Sequence, residues 1–201
     1  NQPPTRRTVA KVLTTPDALY CLIVCYAPRD EVPLNTGVVD QSHGDIVSIM
    51  IDTFDDKQSA YKFAVTASGV RADCRLIDDA RNRDYSWDGV WTAATKVYDW
   101  GFVVEMEVPY KSIKYDPAIG SWGLDFDRWQ SRNSEDLYWS PYERNEGQRI
   151  TKFGRLELND FHPGASGLNL EVYPVGIAKT TLEAQPDQYH TELDAGLEGL
   201  A

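Results

Sequence analysis

Apolar and polar residues alternate with a period of two along most of this chain, and clusters such as TPD, NTG, SHGD, ASG and DPAIG break the alternation at short intervals. A period of two sends successive side chains to opposite faces of a strand. The pattern predicts strands over residues 8–13, 19–26, 46–53, 60–66, 70–76, 91–98, 102–108, 122–129 and 155–158, with the Asn, Asp, Gly and Pro clusters as turns. No stretch of helical period and comparable length interrupts them. Many short strands joined by turns predict an all-β chain, an antiparallel β-sandwich of jelly-roll type with one core between two sheets.

Residues 87–110, WDGVWTAATKVYDWGFVVEMEVPY, spell a hairpin. Phe102, Val104, Met106 and Val108 alternate with Val103, Glu105 and Glu107, while Asp99, Trp100 and Gly101 supply the turn. Pro109 ends the second arm, because it has no N–H to give the ladder. In 60–66 Tyr61, Phe63 and Val65 share one side, and in 122–129 Trp122, Leu124 and Phe126 share another, leaving Asp125, Asp127 and Trp129 on the opposite face. The predicted core is therefore Tyr61, Phe63, Val65, Val104, Met106, Trp122, Leu124 and Phe126, with Trp91 also buried.

Composition narrows the partners. The chain has 201 residues, enough to bury a core without staples, and 20 Lys and Arg against 31 Asp and Glu give a net charge of -11. Such a surface repels phosphate backbones and anionic membranes, so no nucleic-acid partner is expected. Cys21 and Cys25 sit on one strand roughly 13 Å apart, too far to bridge, and read as small buried hydrophobes; Cys74 is free or pairs with one of them. The longest apolar run, residues 18–27, is of strand length and not of a membrane helix. The opening NQPPTRR has no initiator Met, which suggests an upstream segment removed by processing.

The character changes after Asp160. FHPGASG reads as a linker, and LNLEVYPVGIAKTTLE and TELDAGLEGLA read as two alternating strands, too few for a separate stable domain. The expected division is a sandwich over 1–160 and, over 161–201, a linker followed by the first strands of something larger.

Several motifs in a fixed order carry a family resemblance: IDTFDDKQSAYKFAVTASGVRAD at 51–73, the WDGVW hairpin with its Glu105, Met106, Glu107, Val108, Pro109 ending, WGLDFDRW at 122–129, WSPYER at 139–144 and FGRLE at 153–157. Residues 8–158 resemble a family 9 carbohydrate-binding-module-like domain of the kind that precedes an outer-membrane-type β-barrel in bacterial proteins. The resemblance implies that the final 40 residues are strands of that barrel, that the strand usually opening the domain would lie before Asn1, and that the protein is exported to the periplasmic or cell-surface face of the outer membrane. It also implies carbohydrate binding without catalysis, and contact with the outer membrane through the barrel region, not through this domain.

A carbohydrate module stacks the apolar face of a sugar on aromatic rings while carboxylates and amides take its hydroxyl groups. Trp87, in the polar loop YSWDG, and Trp129, beside Asp125 and Asp127, are the expected stacking residues. Trp139 and Tyr142 are expected to supply a second wall, and Asp125, Asp127 and Arg128 the hydroxyl contacts, although alternation also places Arg128 with the core. Asp52, Asp55 and Asp56 lie close enough for a structural calcium, which modules of this family bind, and equally for ordinary turn formation. No other cofactor is expected. Haem, held in related sandwiches by Met with His or Lys, is disfavoured because Met50 and Met106 sit in strand patterns; His43 and His162 are the remaining candidates. Paired carboxylates such as Asp125 with Asp127, or Glu105 with Glu107, recur on any acidic sheet face, and no nucleophile elbow, P-loop or zinc motif is present. The competing expectation is an interaction or scaffolding domain of the barrel protein that lacks a sugar site.

Overall fold

A computed structural model describes residues 3–34, 44–143 and 145–158 with their side chains, and the backbone of 171–182 and 189–200. The linker expected at 161–167, as well as His43 and His162, lie outside the described residues. The chain divides into two compact units, Asn1–Gly164 and Ala165–Ala201.

In the first unit the strands are β1 (Thr8–Thr14), β2 (Ala18–Tyr26), β3 (Ile46–Asp52), β4 (Ala60–Thr66), β5 (Arg71–Ile77), β6 (Asn82–Asp84), β7 (Thr92–Tyr98), β8 (Gly101–Pro109), β9 (Ser121–Gln130), β10 (Glu135–Tyr138) and β11 (Gly154–Glu157). Alternation placed nine of these with ends that agree within one residue. The two it missed, β6 and β10, are short and polar. The strands form one sheet in the order β1-β2-β8-β7 and a second in the order β10-β9-β3-β4-β5-β6, every pairing antiparallel, with β11 on β9 beyond the end of β10.

The sheets face each other across a single core. Inward residues Leu19, Cys21, Ile23 and Cys25 of β2 and Phe102, Val104, Met106 and Val108 of β8 meet Val47, Ile49 and Ile51, Tyr61, Phe63 and Val65, and Trp122 and Leu124 of the second sheet. Each fully buried large side chain contributes about 1.5–3 kcal/mol, so this apolar face decides the register of every strand. The methionines are core residues, as the strand pattern implies, and all three cysteines are buried and unbonded. Burial pushes the Cys21 and Cys25 thiols up to about 12.

Phe126 departs from the predicted core. It packs against the cluster but stays half-buried, because a lateral cavity of about 930 Å³ opens beside it, lined by Ala10 and Val12 of β1, Leu156 of β11 and the Trp139 region. Phe126→Ala is accordingly expected to cost about 2 kcal/mol in a urea melt, below the roughly 3–5 kcal/mol of a fully packed aromatic.

The turn between β7 and β8 is held by ring contacts. Gly101 lies in register between Tyr26 and Tyr98, at φ 147, where a Cβ would run into the Cys25 carbonyl oxygen. The Trp100 indole packs on both tyrosines, 4.8 Å from Tyr98 at 11° and 5.5 Å from Tyr26 at 37°. Arg7 and Lys96 each lie 5.3 Å from a ring centroid, over Tyr26 and Tyr98 respectively. The result is a run of three rings flanked by two cations.

A second, smaller cluster covers part of the outer face of the larger sheet. Met50, Ala60, Cys74 and Leu76 are buried there with Ile150, from the 3-10 turn Ile150–Lys152, and half-buried Phe153 packs against them. The Thr151 N–H donates to Asp79 Oδ1 at 3.0 Å and fixes that segment. Ser140 and Tyr142 cover Asp125 beside it, and the stretch of that face from Ala72 to Trp129 stays open.

The second unit is one antiparallel hairpin, β12 (Glu171–Leu182) with β13 (Tyr189–Leu200).

Candidate functional site

The uncovered part of the outer face forms a slot of about 270 Å³. Its floor follows from the register: Asp127 pairs with Ser48, Ser48 with Ala64 and Ala64 with Ala72, so three small residues lie side by side across β3, β4 and β5. Small side chains in a row leave a depression between larger neighbours. Trp129, half-buried, and Tyr138 stand at one side, while Tyr85, 69 % exposed, and Arg83 stand at the other. Lys62 Nζ reaches across β3 to pair with Asp127 Oδ2, and the Tyr138 hydroxyl donates to Asp136 Oδ2 at 2.6 Å. Under these groups the Ser48 hydroxyl is buried without a hydrogen-bond partner among the described residues.

The slot thus combines aromatic walls with the Asp127 and Asp136 carboxylates, an ammonium and a guanidinium; Asp73 also lines it, with its carboxylate accepting from the Trp91 indole N–H at 2.6 Å. Aromatic faces offer contact to C–H surfaces, and the charged groups accept from or donate to hydroxyl groups. Its volume lies near the small end of ligand sites.

Of the residues expected to bind, Trp129 and Asp127 belong to this slot and the others do not. Asp125, one pair along on the same face, is fully buried: it accepts from the Ser140 N–H at 2.9 Å and from the Tyr142 hydroxyl. Tyr142 is therefore committed to covering a carboxylate, with its ring edge-on to Tyr138 at 4.9 Å. Trp139 is 57 % exposed, but its ring stands edge-on to Phe126 at 5.9 Å and lies so close over Gly154 that a Cβ there would come within 2.6 Å of Cη2. Both Trp139 and Tyr142 border the lateral cavity, away from the slot floor.

Trp87 lies in the loop that its polar neighbours predict, but its ring is half-buried and turned to the core. Its indole folds back over Gly89 and packs on Tyr61 at 4.8 Å and on Phe63 at 5.8 Å, while Trp91 reaches Phe63 at 5.2 Å. Both tryptophans of the WDGVW motif therefore serve the same core phenylalanine. Arg128 is 2 % exposed and points between the sheets, where it donates to the Arg7 and Tyr26 carbonyls and to Thr8 Oγ1. The alternation that placed it with the core is the reading that holds.

The acidic loop is stitched to itself. Asp52 accepts backbone N–H groups from Phe54, Asp56 and Lys57, Asp56 accepts those of Gln58 and Ser59, and Asp55 faces Arg155 at 3.2 Å. The three carboxylates turn to different partners, and among the described residues no group of three or more acidic, His or Cys side chains is placed to hold a metal ion.

Burial raises the Asp125 carboxyl above its ordinary value of 3.8, against the opposing effect of the Tyr142 and Ser140 hydrogen bonds. A folded-state value above the unfolded one contributes stability that is complete below 3.8 and is lost as pH rises through the raised value. Asp125→Asn removes that loss. Its unfolding free energy is expected to decline less than that of the parent between about pH 4 and pH 7, as read from denaturant midpoints across that range.

Sequence reasoning missed Lys62, Arg83, Tyr85, Asp136, Tyr138 and the Ser48, Ala64, Ala72 floor. The outward parity of Lys62, Ala64 and Ser48 was available, but Tyr138 and Arg83 lie on the two short strands with no usable alternation.

A family model described as "Carbohydrate family 9 binding domain-like" matches residues 2–160. No curated protein matches the chain. Among solved structures, a family 9 carbohydrate-binding module from Caldicellulosiruptor kristjanssonii in complex with cellotriose superposes with a TM-score of 0.56 at 16% identity, covering 78% of this chain and 76% of that one. The structure of a family 9 module from the same organism with glucose gives 0.57 at 16% identity over 84% and 83% of the two chains. A Bacteroides uniformis protein gives 0.61 at 13% identity over 76% and 78%. At these identities the likeness is one of fold.

Proposed function

The chain belongs to the carbohydrate family 9 binding domain-like family, and from that membership we propose that it binds a carbohydrate in the slot above Ser48, Ala64 and Ala72 and performs no chemistry on it. The observation that carries this reading is the small-residue floor between Trp129 and Tyr138 on one side and Tyr85 on the other. Such a floor leaves room for a flat ring whose C–H faces meet the aromatics and whose edge hydroxyls reach Asp127, Asp136, Lys62 and Arg83. The charges of those four groups cancel, which suits a neutral sugar better than a polyanion. We place the module outside the cytoplasm, in the cell envelope, where polysaccharides are met.

Glucose and cellotriose, bound by structural neighbours, are the first probes. In calorimetric titration, extended to a panel of neutral polysaccharides by affinity electrophoresis, Trp129→Ala is expected to weaken binding about tenfold or more. Stability should stay within about 1 kcal/mol, because the side chain stands on the outer face. A parent protein that binds no member of the panel, or binding indifferent to Trp129→Ala, would overturn the slot and favour the scaffolding role.

A further inference from the structure

Strand β2 is apolar on both faces. Leu19, Cys21, Ile23 and Cys25 point into the core, and Tyr20, Leu22, Val24 and Tyr26 point outward from the smaller sheet. A strand with one wet face alternates, whereas a strand that reads apolar throughout is covered on both sides. The outer side of this sheet is open: Leu13 of β1 is 63 % exposed and Trp100 45 %, and Tyr20 and Tyr26 are exposed as well.

The register lays this face out in rows across β1, β2, β8 and β7. One end row is Leu13, Tyr20, Glu107 and Thr92, and the next is Lys11, Leu22, Glu105 and Ala94. Then come Val9, Val24, Val103 and Lys96, and last Tyr26, Gly101 and Tyr98 beneath Trp100, with Arg7 over Tyr26. The two carboxylates thus sit in the first two rows, and Lys96 and Arg7 in the last two. Glu107 accepts from the Tyr20 hydroxyl at 2.9 Å, while Glu105 is exposed and makes no ion pair among the described residues.

An occupant that fits must bring apolar side chains to the middle rows and the opposite order of charge along the strands. A second copy of this chain does both. A two-fold axis in the plane of the face, running across the strands between the middle rows, reverses the strand direction. Leu22 then meets the partner's Val24, Tyr20 meets the partner's Tyr26, and Glu105 comes beside the partner's Lys96. The contact is isologous, so each of these pairs occurs twice. Area agrees: four strands about 4.8 Å apart and seven residues long give a plan area of roughly 450 Å² per copy. With side-chain relief, two copies bury on the order of 1,000 Å², the least that a specific interface needs.

We infer that the outer face of the smaller sheet is the interface of a two-fold dimer of this chain, centred on Leu22 and Val24 and keyed by reciprocal Glu105–Lys96 pairs. The slots lie on the other sheet of each copy and stay open. The inference goes beyond the carbohydrate reading and does not depend on it.

Sedimentation velocity on the full chain, across about two decades of micromolar concentration, is expected to show a monomer–dimer equilibrium. Lys96→Glu and Glu105→Lys each place two like-charge contacts in their own homodimer and should weaken association about tenfold or more. Both positions are exposed, so neither change should disturb the fold. An equimolar mixture of the two variants restores both opposite-charge contacts in the heterodimer, and its dissociation constant should return to within about threefold of the parent's. A parent that stays monomeric throughout would overturn the inference and leave the face to a different partner. Single variants that associate as the parent does, or a mixture no tighter than its components, would equally overturn it. No sugar is involved in these readouts, so they fail separately from the binding slot.

Discussion

Replacing Trp87 with Ala is expected to destabilise the sandwich by about 3 kcal/mol and to leave carbohydrate retention unchanged. The indole spans the mouth of the core between Tyr61 and Phe63, and Gly89 lets it lie flat against the loop. Truncation removes two aromatic contacts and opens a void above Phe63, which Trp91 alone does not fill. Paired measurements, a urea melt and affinity electrophoresis on the same preparation, separate the two effects. Lost retention at unchanged stability would move the sugar site to the 85–91 loop.

Arg128→Ala is expected to cost about 3–4 kcal/mol for a different reason. The guanidinium is buried between the sheets, 5.8 Å from the Phe102 ring centroid, and its partners are oxygens of Arg7, Thr8 and Tyr26. Those oxygens belong to the start of β1 and the end of β2, so one side chain of β9 joins the two sheets at that end. Its loss takes the donor from the Tyr26 carbonyl and Thr8 Oγ1, while the Arg7 carbonyl keeps the Tyr26 N–H. Arg128→Met should recover about half of the loss, since it refills the volume without restoring the donors. Denaturant midpoints of the two variants give the split; equal destabilisation would show that packing contributes nothing.

The eight strands of seven residues or more, and the four-residue β11, were legible because each has one apolar face, and the period of two survives wherever that face is buried. Trp122 and Trp91 were correctly placed inside by the same logic. Depth was harder to read than side. Phe126 lies on the predicted face but beside a cavity that depends on where β1 and β11 end, and Asp125 lies on the predicted outer face yet is roofed by Ser140 and Tyr142. Trp87 sits in the expected loop, but its ring is less exposed than expected, because a polar loop sequence records its neighbours along the chain and not the ring it folds onto. Half of the slot was hidden for a related reason: a three-residue strand, NRD, and a four-residue strand, EDLY, gain their faces from β5 and β9 and carry no pattern of their own.

The near-parallel indole and phenol of Trp100 and Tyr98, 4.8 Å apart, bring two aromatic transition dipoles into coupling range. Such a pair gives the smaller sheet its own circular-dichroism band, one that vanishes when the β7–β8 turn opens. The slot, on the other sheet, reports through the difference in emission between the parent and Trp129→Phe, since the other five tryptophans also emit. The band and the difference signal therefore follow the two sheets separately, and a thermal scan in which they melt at different temperatures would show that the sandwich parts layer from layer before it unfolds.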